Sequence, residues 1–296
     1  MIIDVHTHTP QYRSPVPPER IEIFDKWRPD RPVQAIYSWE DYMAAMAPVD
    51  RAIVFPIAWV AGARTGGVTG TELGLDAAEP LDPNEATAEL VRAYPEKLIG
   101  FMSLHPHDAG APAALERCVR DLGLRGIKLG ANYQNFDPLE DRALAIYARA
   151  QELGLPILFH QGTSPVRNAP IRLAHPLIMD QIAIRYPELR IIMAHMGHPW
   201  QVDTITVIRK HPHVYADISG LFYRPFSFYE SLLKCAEWGS LHKLLFASDY
   251  PISTPEENIA ALRGVNRIVE GSALPRVPED QLEALITRDS LKLLGL

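Results

Sequence analysis

The sequence is poor in the features that mark secreted, membrane-spanning or nucleic-acid-binding proteins. It has only two cysteines, Cys118 and Cys235, too few for the disulfide framework of a small secreted domain. No apolar run approaches the roughly 18 residues of a membrane helix, and the N-terminus lacks the basic and apolar regions of a secretory signal. The net charge of −7 argues against nucleic acid or an anionic membrane as the main partner. These absences predict a reduced, cytoplasmic protein, and we expect its partner to be a small molecule.

The sequence does contain a regular alternation of apolar strands and amphipathic helices. Such alternation is typical of a parallel sheet, and eight units in 296 residues fit a closed (β/α)8 barrel, or TIM barrel, better than an open sheet. No repeat, low-complexity tract or linker interrupts the pattern, so we predict one domain over residues 1–296. The predicted strands are Ile2–Thr9, Arg51–Ile57, Leu98–Leu104, Arg125–Leu129, Leu155–His160, Leu189–His195, Val214–Ile218 and Lys243–Asp249.

Helices are predicted between these strands, and two long insertions separate the early ones. The insertions lie at about 10–36, where closely spaced prolines exclude a long helix, and 58–81, which is rich in glycine. Loops this long are usually functional, often as lids. We expect Ser38 to be the N-cap of the first helix. The predicted helices are Trp39–Ala47, Asp82–Tyr94, Ala111–Leu122, Leu139–Leu153, Pro176–Tyr186, Trp200–Lys210, Phe226–Trp238, Pro255–Ile268 and Glu279–Leu294.

The first predicted strand carries a His-x-His pair at its C-terminal end. Because side chains alternate between the two faces of a strand, we expect Asp4, His6 and His8 to share one face. Two imidazoles at i and i+2 can close on one metal ion. An arbitrary His-x-His is more often a pair of surface or core histidines, so a metal site needs partners elsewhere in the chain.

Such partners follow three other predicted strands. In barrels of this type the active site lies at the C-terminal ends of the strands. The fifth strand ends in His160, the sixth in His195 and the eighth in Asp249. Each residue alone has a structural explanation, but together with His6 and His8 they end four strands with groups that bind metals or move protons. The sequence therefore predicts a metal-dependent active site.

Four motifs give the sequence a resemblance to a known family. They are Ile3-Asp-Val-His-Thr-His8, Leu158-Phe-His-Gln-Gly162, Ile192-Met-Ala-His-Met-Gly197 and Leu245-Phe-Ala-Ser-Asp-Tyr-Pro251. Through the order and strand positions of these motifs, the sequence resembles the amidohydrolase superfamily. Within that superfamily it resembles the branch that includes aminocarboxymuconate-semialdehyde decarboxylase and resorcylate decarboxylase. The resemblance implies that one divalent metal ion is bound by His6, His8, His160 and Asp249, and that His195 stands beside the water on the metal.

The implied ligand set agrees with simple coordination chemistry. Three neutral imidazoles and one carboxylate suit Zn²⁺ and leave positions for water or substrate, although Mn²⁺ and Fe²⁺ also accept these ligands. A bound metal can lower the pKa of water from about 15.7 to near 7. We expect His195 to accept the proton of that water, and Asp249 to shuttle a proton to the leaving group or to a carbon.

Lys128 lies in the fourth predicted strand, where two-metal members of the superfamily carry a carboxylated lysine. The branch that this sequence resembles uses a single metal without that lysine. We therefore interpret Lys128 as substrate-binding or structural in preference to a metal bridge. We expect structural roles for His105, His175, His198 and His211.

Substrate contacts are expected from the long loops. Guanidinium groups match the geometry of a carboxylate, and aromatic rings can stack on a cyclic substrate. The candidates are Arg13, Arg64, Arg167 and Arg172 for a carboxylate, and Trp59 and Tyr133 for a ring.

Two reactions and one non-catalytic role are compatible with these residues. The first is hydrolysis of an ester, lactone, amide or similar carbonyl compound by metal-activated water. The second is nonoxidative decarboxylation of an aromatic or unsaturated acid. The third is a metal-stabilised binding protein, which would need neither the lid-like loops nor an open metal position. Hydrolysis is favoured because no pair of cationic residues is evidently placed to hold a departing carboxylate. The resemblance also raises the expectation of a homodimer.

Overall fold

The computed structural model describes residues 1–25, 27–58 and 82–296. The eight predicted barrel strands all occur there, and a short hairpin is added in the first insertion. Numbered along the chain, the strands are β1 (Ile3–His8), β2 (Ile23–Phe24), β3 (Val33–Gln34), β4 (Arg51–Phe55), β5 (Leu98–Gly100), β6 (Met102–Ser103), β7 (Ile127–Leu129), β8 (Ile157–Phe159), β9 (Ile191–Met193), β10 (Val214–Asp217) and β11 (Leu244–Leu245).

Parallel pairing joins the barrel strands in chain order. β1 pairs with β4 and β4 with β5, and a second series runs from β6 through β7, β8, β9 and β10 to β11. β5 and β6 are parts of one predicted strand on either side of Phe101, whose backbone N donates to Val54 O at 2.9 Å. The chain after β11 returns to β1 through Asp249 N, which donates to His6 O at 2.8 Å. The strands therefore follow one another around a (β/α)8 barrel, as the sequence predicts.

Helices pack outside the strands, and several begin at capping residues. Ser38 is an N-cap as predicted, since its side chain accepts a hydrogen bond from Asp41 N at 3.1 Å and the Asp41 carboxylate accepts one from Ser38 N. Thr254 and Glu257 form the same reciprocal pair. The helices are α1 (Trp39–Ala45), α2 (Pro83–Ala93), α3 (Ala111–Arg120), α4 (Ala131–Gln134), α5 (Asp141–Glu152), α6 (Leu177–Arg185), α7 (Gln201–Lys210), α8 (Pro225–Glu237), α9 (Pro255–Gly264), α10 (Glu279–Ile286) and α11 (Ser290–Leu294).

The C-terminal helix prediction is wrong in one respect. The pattern from Glu279 to Leu294 predicts one helix, but the structure has two, α10 and α11. Asp289 lies at the break, where its side chain accepts a hydrogen bond from Lys292 N at 3.1 Å. An aspartate that caps a new helix start competes with continuation of the preceding helix. The apolar periodicity continues across the break because both helices carry buried leucines, Leu282 and Leu285 in α10 and Leu291 and Leu294 in α11.

The apolar core has two parts. A larger cluster lies between the strands and the surrounding helices. A smaller one fills the barrel and includes Ile53, Phe101 and Ile192 from different strands, together with Leu291 and Leu294 of α11. Burial of each such side chain stabilises the fold by about 1.5–3 kcal/mol. The packed interior holds the strands firmly, so their C-terminal ends are rigid supports for the side chains that follow them.

The described residues of the first insertion contact the far end of the chain. It contains the antiparallel pair β2 and β3. Its Arg28 is only 3% exposed and donates to Glu257 of α9 at 3.1 Å and to Asp30 at 2.6 Å. The predicted insertion at 58–81 lies outside the described residues except for Ala58.

Cys118 and Cys235 are both free and buried, in agreement with the expectation that the chain carries no disulfide framework. Among the helices of the described segments, none combines the length and apolar character that crossing a membrane requires.

Candidate metal centre

The two histidines of β1 point to the same side of the strand, as alternation predicts, but Asp4 does not share that side. A β-bulge lies between Asp4 and Thr7, and a bulge re-aims the side chains that follow it. The rings of His6 and His8 contact the Phe55 ring, at centroid distances of 5.1 and 5.0 Å, and Phe55 belongs to the barrel interior. Ile3 and Val5 also belong to that interior cluster. The prediction that Asp4 shares a face with both histidines is therefore wrong, because the bulge separates it from them.

Asp249 meets both histidines from the opposite end of the chain. Its Oδ1 lies 3.2 Å from His6 Nε2 and 3.0 Å from His8 Nε2. The residue has a φ of 61°, a left-handed backbone that non-glycine residues adopt at a cost. Burial alone would raise the pKa of the Asp249 carboxyl, but the neighbouring His6 and His195 hold it well below its usual range. Asp249 is thus an ionised acceptor in the middle of the histidines.

His195 follows β9, again with a left-handed backbone, at a φ of 57°. Its ring centroid lies 5.0 Å from that of His6. A ring nitrogen of His195, one of His6 and a carboxylate oxygen of Asp249 all lie within 4.8 Å of one another. Burial lowers the pKa of His195 to about 4. Its imidazole is therefore neutral near pH 7 and retains a lone pair.

His160 follows β8 and adjoins this group without joining it closely. Its ring centroid is 5.0 Å from that of His195, and Tyr133 lies against its other side at 5.1 Å. Its Nε2 lies 3.2 Å from the carbonyl oxygen of Thr163. Burial lowers the pKa of His160 well below its ordinary value. His160 is a neutral imidazole beside the cluster, with Nε2 facing the following loop.

Two residues of the site were not predicted from the sequence. Asp217 is the last residue of β10, and Ser219 lies shortly after that strand. Asp217 is fully buried, and its Oδ2 accepts a hydrogen bond from His6 Nδ1 at 2.8 Å. Ser219 lies next to it, with Oγ 2.8 Å from His195 Nδ1. Burial alone would raise the pKa of Asp217, but His6 and further donors hold it far below its usual range. Asp217 ends the seventh barrel strand in the structure, whereas the predicted strand runs on to Ile218, so the strand-end rule applied to the sequence passed over Asp217 by one residue.

Lys128 projects from β7 into the same space. Its Nζ lies 3.3 Å from His6 Nε2 and 4.6 Å from the centre of the Phe55 ring. Burial lowers the pKa of Lys128 to about 8, although the carboxylates of Asp249 and Asp217 oppose that shift. A buried amine is therefore close to the histidines and carboxylates of the site.

The donor atoms of the cluster fit a divalent metal ion. In the neutral form His6 donates through Nδ1 to Asp217, so its Nε2 carries a lone pair and faces another acceptor, Asp249 Oδ1, at 3.2 Å. Two acceptors this close call for a positive charge beside them, which a proton, the Lys128 amine 3.3 Å from His6 Nε2 or a metal ion can supply. Imidazole nitrogens and a carboxylate oxygen are ligands that Zn²⁺ and Mn²⁺ both accept.

The predicted substrate residues lie in different surroundings. Tyr133 is half-buried beside His160, and Lys128 is buried within the cluster. Arg13 is exposed, with its guanidinium 5.0 Å from the centre of the Trp39 ring. Arg167 and Arg172 are exposed on the segment after β8. Trp59 and Arg64 lie outside the described residues.

The histidines expected to be structural have contacts of other kinds. His105 Nε2 lies 2.8 Å from Gln134 O, and the His175 ring packs on Trp200 at 4.7 Å. His198 contacts Gln201 at 2.8 Å, and His211 contacts Asp180 at 2.6 Å.

Comparison with known proteins gives a partial match to a curated relative. Dihydroorotase from Helicobacter pylori (strain HPAG1) is 27% identical over 131 residues, which are 44% of this chain and 32% of that protein. The match thus spans about a third of the length of that relative.

Solved structures match over the full barrel. A probable 2-pyrone-4,6-dicarboxylic acid hydrolase from Acinetobacter baumannii, with citric acid bound, has a TM-score of 0.63 at 14% identity, covering 100% of this chain and 99% of that chain. A dihydroxybenzoic acid decarboxylase from Polaromonas sp. JS666, with bound manganese and the inhibitor 2-nitroresorcinol, has a TM-score of 0.62 at 17% identity, covering 100% and 97%. At these identities the likeness shows a shared fold.

The family assignment comes from a match of the sequence to a family model. Residues 3–296 match the family model described as "Amidohydrolase", which is almost the whole chain. This match agrees with the barrel, with the four motifs at its strand ends and with the cluster around Asp249. The chain is an enzyme of the amidohydrolase family.

Proposed function

We propose that this protein is a metal-dependent hydrolase that acts on a small organic substrate, such as a carboxylate, lactone or ester-like compound. The observation that carries the proposal is the convergence of His6, His8 and His195 around the carboxylate of Asp249. A divalent ion bound there would polarise a carbonyl group and lower the pKa of water. The protein's part is to hold the ion, keep a base next to it and exclude bulk solvent.

We propose His6, His8, His160 and Asp249 as the metal ligands. The short distances from Asp249 Oδ1 to the Nε2 atoms of His6 and His8 support three of them. The family resemblance supports His160. Geometry alone favours His195 over His160, since a His195 nitrogen lies within the 4.8 Å group. The two rings are in contact, so either choice gives three imidazoles and one carboxylate, and metal binding by the single variants decides between them.

We propose His195 and Asp249 as the acid–base residues. His195 has a pKa of about 4 and can accept a proton throughout the neutral range. Its Nδ1 contacts Ser219, which leaves the other nitrogen for a substrate or for water. Asp249, ionised beside His195, can carry a proton onward to the leaving group.

Zinc is the proposed metal, because a set of three imidazoles and one carboxylate suits it well. The bound manganese in the Polaromonas decarboxylase supports Mn²⁺ as the main alternative, followed by Fe²⁺. Lys128 is proposed to contact the substrate rather than the metal. The same role is proposed for Arg13, Tyr133, Arg167 and Arg172, and for Trp59 and Arg64 in the second insertion.

Decarboxylation of an aromatic or unsaturated acid is the second candidate. One observation favours it, namely the amine of Lys128, which offers a cation for a carboxylate inside the site. A single lysine does not provide the bidentate clamp that a guanidinium would, and hydrolysis therefore remains the first proposal. A role as a binding protein without turnover is remote, because the site includes a neutral base beside the ligands.

Solvent isotopes separate the two reactions. Purified, metal-loaded protein is screened against lactones, esters and aromatic carboxylates, and a substrate that turns over is run in ¹⁸O-water and in deuterated water. Hydrolysis puts ¹⁸O into the new acid group. Decarboxylation releases one carbon dioxide per turnover and leaves deuterium on carbon without incorporation of ¹⁸O, which would replace the first proposal by the second.

Three further properties are proposed. The partner is a small molecule rather than nucleic acid or a membrane, in line with the net charge of −7. The two free cysteines support a reducing, cytoplasmic location. A homodimer is proposed by resemblance alone, and light scattering of the purified protein tests it.

A further inference from the structure

The Asp217 carboxylate accepts hydrogen bonds at both of its oxygens. Oδ2 faces His6 Nδ1 at 2.8 Å. Oδ1 faces the backbone N of His195 at 2.9 Å, the backbone N of Ser219 at 3.1 Å and Ser219 Oγ at 2.5 Å. Asp217 is fully buried, so water does not compete for these positions. The hydrogen-bond donors around Asp217 are therefore protein groups held in defined positions.

These donors settle the tautomer of His6. Oδ1 is already taken by two backbone N–H groups and a hydroxyl, so an ionised Asp217 can only accept at Oδ2 as well. His6 must therefore carry its hydrogen on Nδ1 when the imidazole is neutral. Its Nε2 then presents a lone pair, and this atom lies 3.2 Å from Asp249 Oδ1.

Asp217 acts on His195 through Ser219. The Ser219 hydroxyl donates its only hydrogen to Asp217 Oδ1, so towards His195 it can only accept. The other neighbour of His195 Nδ1 is the carbonyl oxygen of Ser219 at 3.3 Å, which also only accepts. His195 therefore carries its hydrogen on Nδ1, and Nε2 is left with the lone pair. Gly220 permits this close approach, since its Cβ, if present, would lie 3.1 Å from His195 Nδ1.

We propose that Asp217 is a positioning residue which, directly for His6 and through Ser219 for His195, holds the two imidazoles as Nδ1–H tautomers so that both Nε2 atoms serve the metal centre. This inference rests on the proposed metal-dependent function. Asp217 itself contacts neither metal nor substrate, and its effect passes through the two histidines. Hydrogen-bond partners of this kind typically change metal affinity about 10- to 100-fold.

The substitution Asp217→Asn tests the proposal with almost no change of shape. Two backbone N–H groups point at the Oδ1 position, so the amide oxygen of the asparagine must occupy it. The amide NH₂ then takes the Oδ2 position and donates to His6 Nδ1. His6 is forced into the Nε2–H tautomer, which removes the lone pair from the atom that faces Asp249.

Two readouts follow this change. Ring ¹⁵N NMR of metal-free protein, at a pH of about 8.5 and with the His6 signals assigned by their loss in His6→Gln, is expected to show an Nδ1–H His6 in the wild type and an Nε2–H His6 in Asp217→Asn. Zinc affinity, measured by competition with a chromophoric chelator, is expected to fall about 10- to 100-fold in Asp217→Asn. A merely structural loss would not move the ring tautomer.

The chain offers a matched control. Asp180 and His211 form another aspartate–histidine pair, 2.6 Å apart and away from the cluster. Asp180→Asn is expected to change the His211 signals and to leave the His6 tautomer and zinc affinity unaltered. Ser219→Ala keeps the Asp217–His6 contact and is expected to preserve the His6 tautomer.

The outcomes separate this inference from the proposed function. A wild-type tautomer and affinity in Asp217→Asn would overturn the inference while leaving the metal site in place. If Asp217→Asn fails to fold, the NMR spectrum of the wild type still tests the inference. An Nε2–H tautomer of His6 in the wild type would overturn it. A wild-type protein that binds no divalent metal would defeat the proposed function. The ¹⁵N NMR spectra of metal-free protein would still show whether Asp217 fixes the ring tautomers.

Discussion

His8 Nε2 lies 3.0 Å from Oδ1 of Asp249, although 241 residues separate the two along the chain. The contact exists because the chain after β11 pairs with β1, and Asp249 N donates to His6 O at 2.8 Å. The first and last barrel strands therefore build one half of the site together. A chain that failed to close the barrel would lose it.

The metal content is the first test of the ligand assignment. We expect elemental analysis to find close to one divalent ion per chain and to identify it as zinc, on the chemistry of the proposed ligands. His6→Ala and His160→Ala should each lower occupancy sharply, because each removes an imidazole from the set. His211→Ala, which removes a histidine outside the cluster, should not. Protein that neither carries nor takes up metal would refute the assignment, and two ions per chain would make Lys128 a ligand.

The division between ligand and base is tested at His195. His195→Asn should retain the metal and lose about 10²- to 10⁴-fold in rate, the usual cost of a missing acid–base group. Burial lowers the pKa of His195 to about 4, so protonation of this base should not limit kcat/KM near pH 7. Metal analysis and a pH–rate profile provide the measurements. Loss of metal as complete as in His160→Ala would exchange the roles of the two histidines.

His105 should make stability depend on pH. Its Nε2 contacts Gln134 O at 2.8 Å, and its Nδ1 accepts from His107 N at 3.2 Å, which together require a neutral ring. Burial lowers the pKa of His105 below its ordinary 6.5. As the pH falls through 6.5, the unfolded chain binds a proton that the folded chain does not, so this contribution to stability is present above 6.5 and lost below it.

The test compares the wild type with His105→Gln. The advantage of the wild type in free energy of unfolding should shrink between pH 8 and pH 5.5, by at most about 1.4 kcal/mol, the equivalent of one pH unit. Denaturant unfolding with chelator present gives the difference. A constant difference for His105→Gln across this pH range would disprove the prediction.

Arg28 should contribute measurably to stability. Its buried guanidinium binds Glu257 and Asp30 and lies 4.9 Å from the centre of the Tyr223 ring. Arg28→Leu should reduce the free energy of unfolding by about 2 kcal/mol, since hydrogen bonds to charged groups contribute about 1.5–3 kcal/mol. Arg31→Ala removes an exposed partner of the same Glu257 and should cost less than about 1 kcal/mol. Equal losses of free energy of unfolding in Arg28→Leu and Arg31→Ala would mean that the buried contacts of Arg28 add nothing to stability.

The sequence predicts the barrel well because its signals are local. Each strand is a short apolar run, and helix starts such as Ser38 carry a side chain that caps the backbone. The break at Asp289 was missed because the apolar periodicity continues across it. The bulge in β1 was missed because nothing in the residues from Asp4 to Thr7 marks an extra residue, and only pairing with β4 reveals it.

The site is less predictable because its precise geometry depends on contacts between distant strands. The strand-end rule finds His6, His8, His160, His195 and Asp249, since it needs only order along the chain. The contact between Asp217 and His6 joins residues 211 positions apart. No spacing pattern encodes such a pair, and the roles that follow from it require coordinates.

Glu257 has a consequence for protein engineering. Its carboxylate accepts from Thr254 N at 2.9 Å, which starts α9, and from Arg28 of the first insertion at 3.1 Å. The first insertion, which follows β1, and α9, which follows β11, are therefore coupled and should be transferred together. A graft of residues 10–36 onto another barrel of this family should keep its shape only where the recipient supplies a carboxylate at the third position of that helix. Libraries that randomise this loop should likewise hold Glu257 fixed.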